Sequence, residues 1–227
     1  TATAVTGVRG AGVSLNGTTQ YLSCTDAACG GTSKLDYTGS GGWSMGAWIK
    51  PASTSNGVIL EKYGADGQYG YYLAYISQQV KMCASSTGAS GQEKCANTTA
   101  TTGANTWAFA VATYDGTTMR TYLNGVQDGS NTITGIFNST ADFKIGGTGA
   151  YFNGSIDEPF VTATALTAGQ IKHMYEVGYR ALQSHSSTAL GGGAADSNQQ
   201  LGYISTGTNT VGAVGVDYNN QFMYVGT

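Results

Sequence analysis

Along roughly the first 161 residues, apolar and polar positions alternate in short runs, and each run closes in turn chemistry. Trp43 to Lys50 sets Trp43, Met45, Ala47 and Ile49 on one face and Ser44, Gly46, Trp48 and Lys50 on the other, the period of two that marks a strand. Pro51 ends it by withdrawing a ladder donor. Tyr69 to Ile76 repeats the alternation, with Tyr71, Leu73 and Tyr75 opposite Tyr72, Ala74 and Ile76. Between Trp107 and Gln127 the residues Trp107, Phe109 and Val111 share a face, Asp115-Gly116 makes a turn, and Asn124-Gly125 follows Leu123. That dipeptide tolerates the two positive φ values of a tight hairpin better than any other. Further strands are predicted at Val13-Ser14-Leu15, Tyr21-Leu22-Ser23, Val58 to Lys62, Phe143-Lys144-Ile145 and Gly154 to Val161.

One segment has a different period. Thr167-Ala168-Gly169-Gln170 reads as a capping box, after which Ile171, Met174, Tyr175 and Gly178 fall on one helical face. A short helix covering one end of the strand assembly is expected. After Leu182 the composition turns to Ser, Thr and Gly, so residues 183–200 read as a linker. Residues 201–227 hold three strand-like stretches, Leu201 to Ile204, Val211 to Val216 and Phe222 to Val225. Three short strands expose one whole face and close no core alone. They are either the start of a further domain or an extension that packs on residues 1–182 or on a neighbouring chain.

Composition sharpens this. With 35 Gly, 2 Pro, 41% hydrophobic residues and 15 Tyr among 227 residues, the chain is built for short strands and many turns, yet has enough apolar surface to fold. The 10 Lys+Arg and 13 Asp+Glu give a net charge of -3 without a run of either sign. Nucleic-acid binding, which needs a basic stripe, is therefore not expected. No apolar stretch approaches the ~20 residues that span a bilayer, so membrane insertion is not expected either. The N-terminal residues Thr1 to Val5 lack the charged and apolar regions of a secretory signal.

Evidence for export comes instead from the four cysteines, Cys24, Cys29, Cys83 and Cys95. They allow three pairings; Cys24–Cys29 with Cys83–Cys95 is favoured because each bond closes a local loop, the second stapling a hairpin. A zinc site would favour tight Cys-x-x-Cys knuckles or added histidines, and His173 and His185 lie far along the chain. Disulfides imply an oxidising compartment, hence a secreted or cell-surface protein. Four Asn-x-Ser/Thr sequons, at Asn16, Asn97, Asn138 and Asn153, fit such a location.

Four fragments in order resemble the laminin-G-like, concanavalin A-like jelly-roll family over about residues 10 to 180. These are Val13 to Gly17 with Tyr21-Leu22; Met45 to Pro51; Trp107 to Phe109 with Thr113 to Gly116 and Tyr122 to Gly125; and Phe152 to Glu158 with Ala165 to Tyr175. The resemblance implies an all-β fold, a two-sheet antiparallel jelly-roll sandwich with one short C-terminal helix. It also implies a structural calcium ion, held by Asp157 together with a backbone carbonyl around Gly17. The tail, from Val214 onward, more weakly resembles the opening of a β-propeller blade.

The fold hosts sugar binding, adhesion, catalysis and spacing, so function must come from residues. A retaining glycosidase needs two carboxylates ~5–5.5 Å apart, and on this fold they would lie on one strand as Glu-x-Asp-x-x-Glu, a run the chain lacks. Asp157 and Glu158 are adjacent and point to opposite faces in a regular strand. No Gly-x-Ser-x-Gly elbow is present. A catalytic function is not expected. The loop Lys62 to Tyr69 puts Tyr63, Asp66 and Tyr69 together, rings for sugar C–H faces and an acid for hydroxyls; equally, tyrosine is a good strand residue that fills sheet surface. Two functions follow. One is a non-catalytic extracellular module that binds a glycan or a surface partner. The other is a structural subunit or spacer of a surface layer, appendage or filament that self-associates through its tail.

Overall fold

The computed structural model describes residues 2–29, 35–37, 41–187, 214–217 and 222–225. Fifteen strands and one helix are present among them: β1 (Thr3–Thr6), β2 (Ala11–Asn16), β3 (Leu22–Cys24), β4 (Trp43–Pro51), β5 (Gly57–Tyr63), β6 (Tyr69–Ile76), β7 (Gln79–Ser85), β8 (Glu93–Asn97), β9 (Ala108–Tyr114), β10 (Thr118–Leu123), β11 (Val126–Thr132), β12 (Phe143–Ile145), β13 (Asn153–Thr162), α1 (Ala168–Ser187), β14 (Val214–Asp217) and β15 (Phe222–Val225). A seven-stranded sheet runs β1-β2-β13-β4-β9-β10-β11, and a six-stranded sheet runs β3-β12-β5-β6-β7-β8. All pairings are antiparallel. The expected two-sheet jelly-roll sandwich is what the chain forms.

Alternation decides which side chains meet between the sheets. Trp43, Met45, Ala47 and Ile49 of β4 enter the core with Ala108, Ala110, Ala112 and Tyr114 of β9, and Tyr71, Leu73 and Tyr75 of β6 come from the other sheet. Buried tyrosines need a partner for their hydroxyl. The Tyr71 phenol donates to the carbonyl of Leu35 at 2.8 Å and that of Tyr75 to Thr102 at 3.0 Å. At one side the sheets are tied together by Asp128 of β11, which accepts the N–H groups of Thr99 and Ala100, while Asn131 donates to the carbonyl of Cys95 at 2.8 Å.

Both favoured disulfides form. Cys83 and Cys95 stand directly opposite on β7 and β8, so their bond crosses a ladder rung. Cys24–Cys29 closes the turn that carries Asp26, and Asp26 with Asp36 neutralises Lys62, a lysine buried at 2% exposure. The Asn124-Gly125 turn has the positive φ values its sequence announced, 52° and 81°.

The helix differs from expectation in place and length. Its capping box forms, with the Thr167 N–H donating to the Gln170 side-chain oxygen at 2.8 Å and the Gln170 N–H to the Thr167 hydroxyl at 3.3 Å. Instead of closing an end, α1 lies across the outer face of the seven-stranded sheet. Ile171, Met174, Tyr175 and Leu182 pack on Trp48, Phe109, Val111, Tyr122 and Phe160. Trp107, Phe109 and Val111 are thus outward residues under the helix. Gly178 is required where the helix crosses Trp48, since a Cβ there would stand 2.5 Å from the indole. The helix continues to Ser187, through the first five residues assigned to a linker, and His185 is helical. Residues 188–213, with the expected strand at Leu201 to Ile204, lie outside the described residues. β14 and β15 pair with each other in a separate two-stranded sheet.

Candidate functional site

The outer face of the six-stranded sheet carries no helix among the described residues, and its outward positions are polar and aromatic. Of the three loop residues singled out, two meet. Tyr63 ends β5 and Tyr69 begins β6; they are cross-strand partners, and their rings stack at 4.3 Å with planes 12° apart. Tyr72, three residues further along β6, sets its ring perpendicular to that of Tyr63 at 5.2 Å. Glu93 of β8 accepts the Tyr63 phenol proton at 2.5 Å. Burial and this carboxylate push the Tyr63 phenol well above its usual range, and burial with Glu93 raises Tyr72 as well. Tyr63 is therefore a fixed donor. The Tyr69 hydroxyl has no hydrogen-bond partner among the described residues, and its ring is half-exposed.

Among the described residues Asp66 makes no hydrogen bond to either tyrosine. Its carboxylate accepts the N–H of Ser90 at 2.7 Å and so links the β5–β6 loop to the β7–β8 loop. Gln68 holds the same end together, its side-chain oxygen accepting the Thr140 N–H at 2.8 Å. These bonds order the loop that carries Tyr69.

Next to the tyrosines, Glu61 and Lys144 are direct cross-strand partners on β5 and β12, in the row that continues to Tyr72 on β6. Glu61 is only 4% exposed. It accepts the N–H and hydroxyl of Thr148 at 3.0 and 3.1 Å, and the Lys144 ammonium stands 3.7 Å away. Burial raises its pKa, and Lys144 and Thr148 only partly offset this. Neither Glu93 nor this trio was singled out in the sequence. Alternation already sets Tyr72 opposite Tyr71, where a tyrosine reads first as sheet surface; nothing local could have delivered Glu93, which arrives from a strand thirty residues on.

The calcium arrangement does not fit. Asp157 turns its carboxylate to the Gly7–Gly10 turn, accepting the N–H groups of Val8 at 2.7 Å and Arg9 at 3.0 Å. Gly17 follows the β2 residue paired with Asn153, four positions back along β13, so it stands roughly 13 Å from Asp157 at 3.3 Å per residue. Among the described residues no group of three or more His, Cys, Asp or Glu could hold a metal ion. The strand-alternation argument applied to Asp157 and Glu158 also fails locally: β13 bulges between Asp157 and Phe160, and Glu158 takes φ 48°. A bulge breaks the period of two, so the pair is close enough for Asp157 to help raise the pKa of Glu158, second to burial. The stronger objection to an acid pair is that Asp157 is already spent on two backbone donors.

A family described as the concanavalin A-like lectin/glucanases superfamily, one of the laminin G families, matches residues 16–172. The chain belongs to that family. No curated protein sequence matches it significantly. Among solved structures, the binding domain of Paraclostridial Mosquitocidal Protein 1 superposes with a TM-score of 0.62 at 10% identity, over 78% of this chain and 45% of that one. Domain 4 of AbnA, a GH43 extracellular arabinanase from Geobacillus stearothermophilus solved with arabinotriose, gives 0.59 at 20% identity, over 77% and 81%. The binding domain of botulinum neurotoxin DC, solved with rat synaptotagmin II, gives 0.58 at 15% identity, over 78% and 45%. The chain thus spans less than half of either toxin domain. At these identities the likeness is one of fold. No described helix is long and apolar enough to cross a membrane.

Proposed function

We propose that this domain is an extracellular, non-catalytic module that binds carbohydrate on the outer face of its six-stranded sheet, around Tyr63, Tyr69 and Tyr72. The observation that carries it is the Tyr63–Tyr69 stack, edged by Tyr72 and anchored by Glu93, standing on a face that no described helix covers. A rigid aromatic surface beside fixed polar groups suits a sugar, whose faces are apolar and whose rim is hydroxyl. Further support comes from the arabinanase domain solved with arabinotriose, a similar fold with a sugar bound, and from two disulfides, which belong to oxidising compartments. The test is a glycan array followed by calorimetry on the best ligand. Tyr69→Ala is expected to weaken binding at least about tenfold, the loss of one well-packed aromatic contact, with a melting temperature lowered by no more than about 4 °C. A glycan bound equally well by Tyr69→Ala and Tyr72→Ala would remove the site.

A second function, a structural subunit that self-associates through its tail, draws on one observation: among the described strands β14 pairs with β15 and no other, which leaves its outer edge available to a further strand, while β15 lies beside β13. Light scattering during size exclusion distinguishes the two. A strict monomer with and without residues 188–227 would count against assembly through the tail.

A further inference from the structure

A second aromatic pair stands on the same face. Leu22 of β3 points into the core, so its neighbours Tyr21 and Ser23 point outward. Tyr21 is 39% exposed, one of three large hydrophobic side chains so exposed among the described residues, and its ring lies 6.2 Å from that of Tyr151. Register gives the geometry. Cys24, Phe143 and Lys62 are in line across β3, β12 and β5, as are Leu22, Ile145 and Leu60. Tyr21 and Tyr63 are therefore two strands apart and four residues apart along the strands, roughly 16 Å at 4.8 Å per strand and 3.3 Å per residue. Lys144 and Glu61, in line with Ser23, fall midway between the two pairs.

Resting on the carbohydrate-binding function proposed above, we infer that the site is an extended strip for a linear neutral oligosaccharide, with Tyr21–Tyr151 as a second subsite and Glu61–Lys144–Thr148 holding the hydroxyls between. The span exceeds what a mono- or disaccharide reaches. Glu61 supports the middle position because it is a carboxylate more than nine-tenths buried on the outward row, kept in place by Thr148. Neutrality follows from charge. Lys144 faces Glu61 and donates to the Thr148 hydroxyl at 3.1 Å, and Glu93 faces the tyrosines, so an acidic sugar meets carboxylates and a lysine already paired.

The test measures affinity for cello-, xylo- and arabino-oligosaccharides, each from disaccharide to hexasaccharide, by calorimetry on the folded domain. In the series that binds, affinity is expected to rise at least about tenfold with length, the value of one added aromatic contact. Tyr21→Ala and Tyr151→Ala remove that rise and leave disaccharide binding intact, Tyr21→Phe restores it, and melting temperatures stay put. Affinity independent of length, or a rise that survives Tyr21→Ala, overturns the extended site while leaving the Tyr63–Tyr69 platform standing. If array and calorimetry find no saccharide bound by the parent protein, carbohydrate binding itself fails and the strip with it.

Discussion

The two outer faces of the sandwich obey the same alternation and end up opposite in character. Over the seven-stranded sheet, the outward positions Trp48, Phe109, Val111, Tyr122 and Phe160 are bulky and apolar, and α1 with Val8 covers them. Over the six-stranded sheet, the outward positions are Tyr21, Ser23, Lys144, Glu61 and Tyr72, and no described helix lies on them. One face is therefore a second core and the other is a surface. A jelly roll gains stability where apolar area leaves water and keeps binding capacity where half-exposed rings and paired charges stay within a ligand's reach.

The sharpest break of this contrast is substitution at matched positions. Trp48→Ala removes the indole under α1 and is expected to cost about 3–5 kcal/mol, a fall in melting temperature of about 6–20 °C for a domain of this size. Tyr69→Ala on the bare face should cost no more than about 1 kcal/mol. Comparable losses by differential scanning calorimetry would mean that the bare face is also structural.

Next comes the cross-strand disulfide. In the chain-entropy model, a loop such as that closed by Cys83–Cys95 is worth about 3 kcal/mol, and the shorter Cys24–Cys29 loop about 2 kcal/mol. Reduction should lower the melting temperature and leave the domain folded, because both sheets keep a large core. Circular dichroism of the reduced, alkylated protein at 25 °C checks this; loss of the β signal would show the core to be insufficient alone.

A smaller effect belongs to the N-terminal turn. Asp157→Ala strips two backbone donors, the buried Val8 and the exposed Arg9, of their acceptor, and a buried unsatisfied group costs about 1–3 kcal/mol. Hydrogen exchange should quicken in β1 and residues 7–10 before it does elsewhere. Protection that stays uniform would place the turn's stability in Val8 packing instead.

The smallest effect is one of pH. Burial raises the Glu61 carboxyl above its usual 4.5, so from about that pH upward the native state holds more protons than the unfolded chain. Stability then declines as pH rises through the folded pKa. Glu61→Gln, which keeps an acceptor for Thr148, should lack this decline and so gain on the parent as pH rises from about 4 to about 7.5. A parent that gains on the variant over that range would show that Lys144 outweighs burial.

Strands with strong alternation and a named turn were legible in advance, β4, β6, β9 and β10 among them, because their neighbours in sequence carry the pattern. β1 and β8 were not, since Thr3–Thr6 and Glu93–Asn97 are short and mostly polar and become strands only by pairing with β2 and β7. The site divides the same way. Tyr63 and Tyr69 could be named because one loop joins them, whereas the partner of Asp66 could not, because Ser90 comes from a different hairpin. The calcium ligands were carried from a resemblance, and the register of β2 against β13 separates them.

By itself the sequence determined the sandwich, its two local disulfides, the capped helix and the aromatic loop, all of which follow from residues near one another in the chain. Only the tertiary structure decided which face the helix covers, that Glu158 sits in a bulge, and that Tyr72, Glu93, Glu61 and Lys144 gather beside Tyr63. These choices depend on which strands become neighbours, and strand order in a sheet is fixed by long-range burial and pairing that no local pattern encodes.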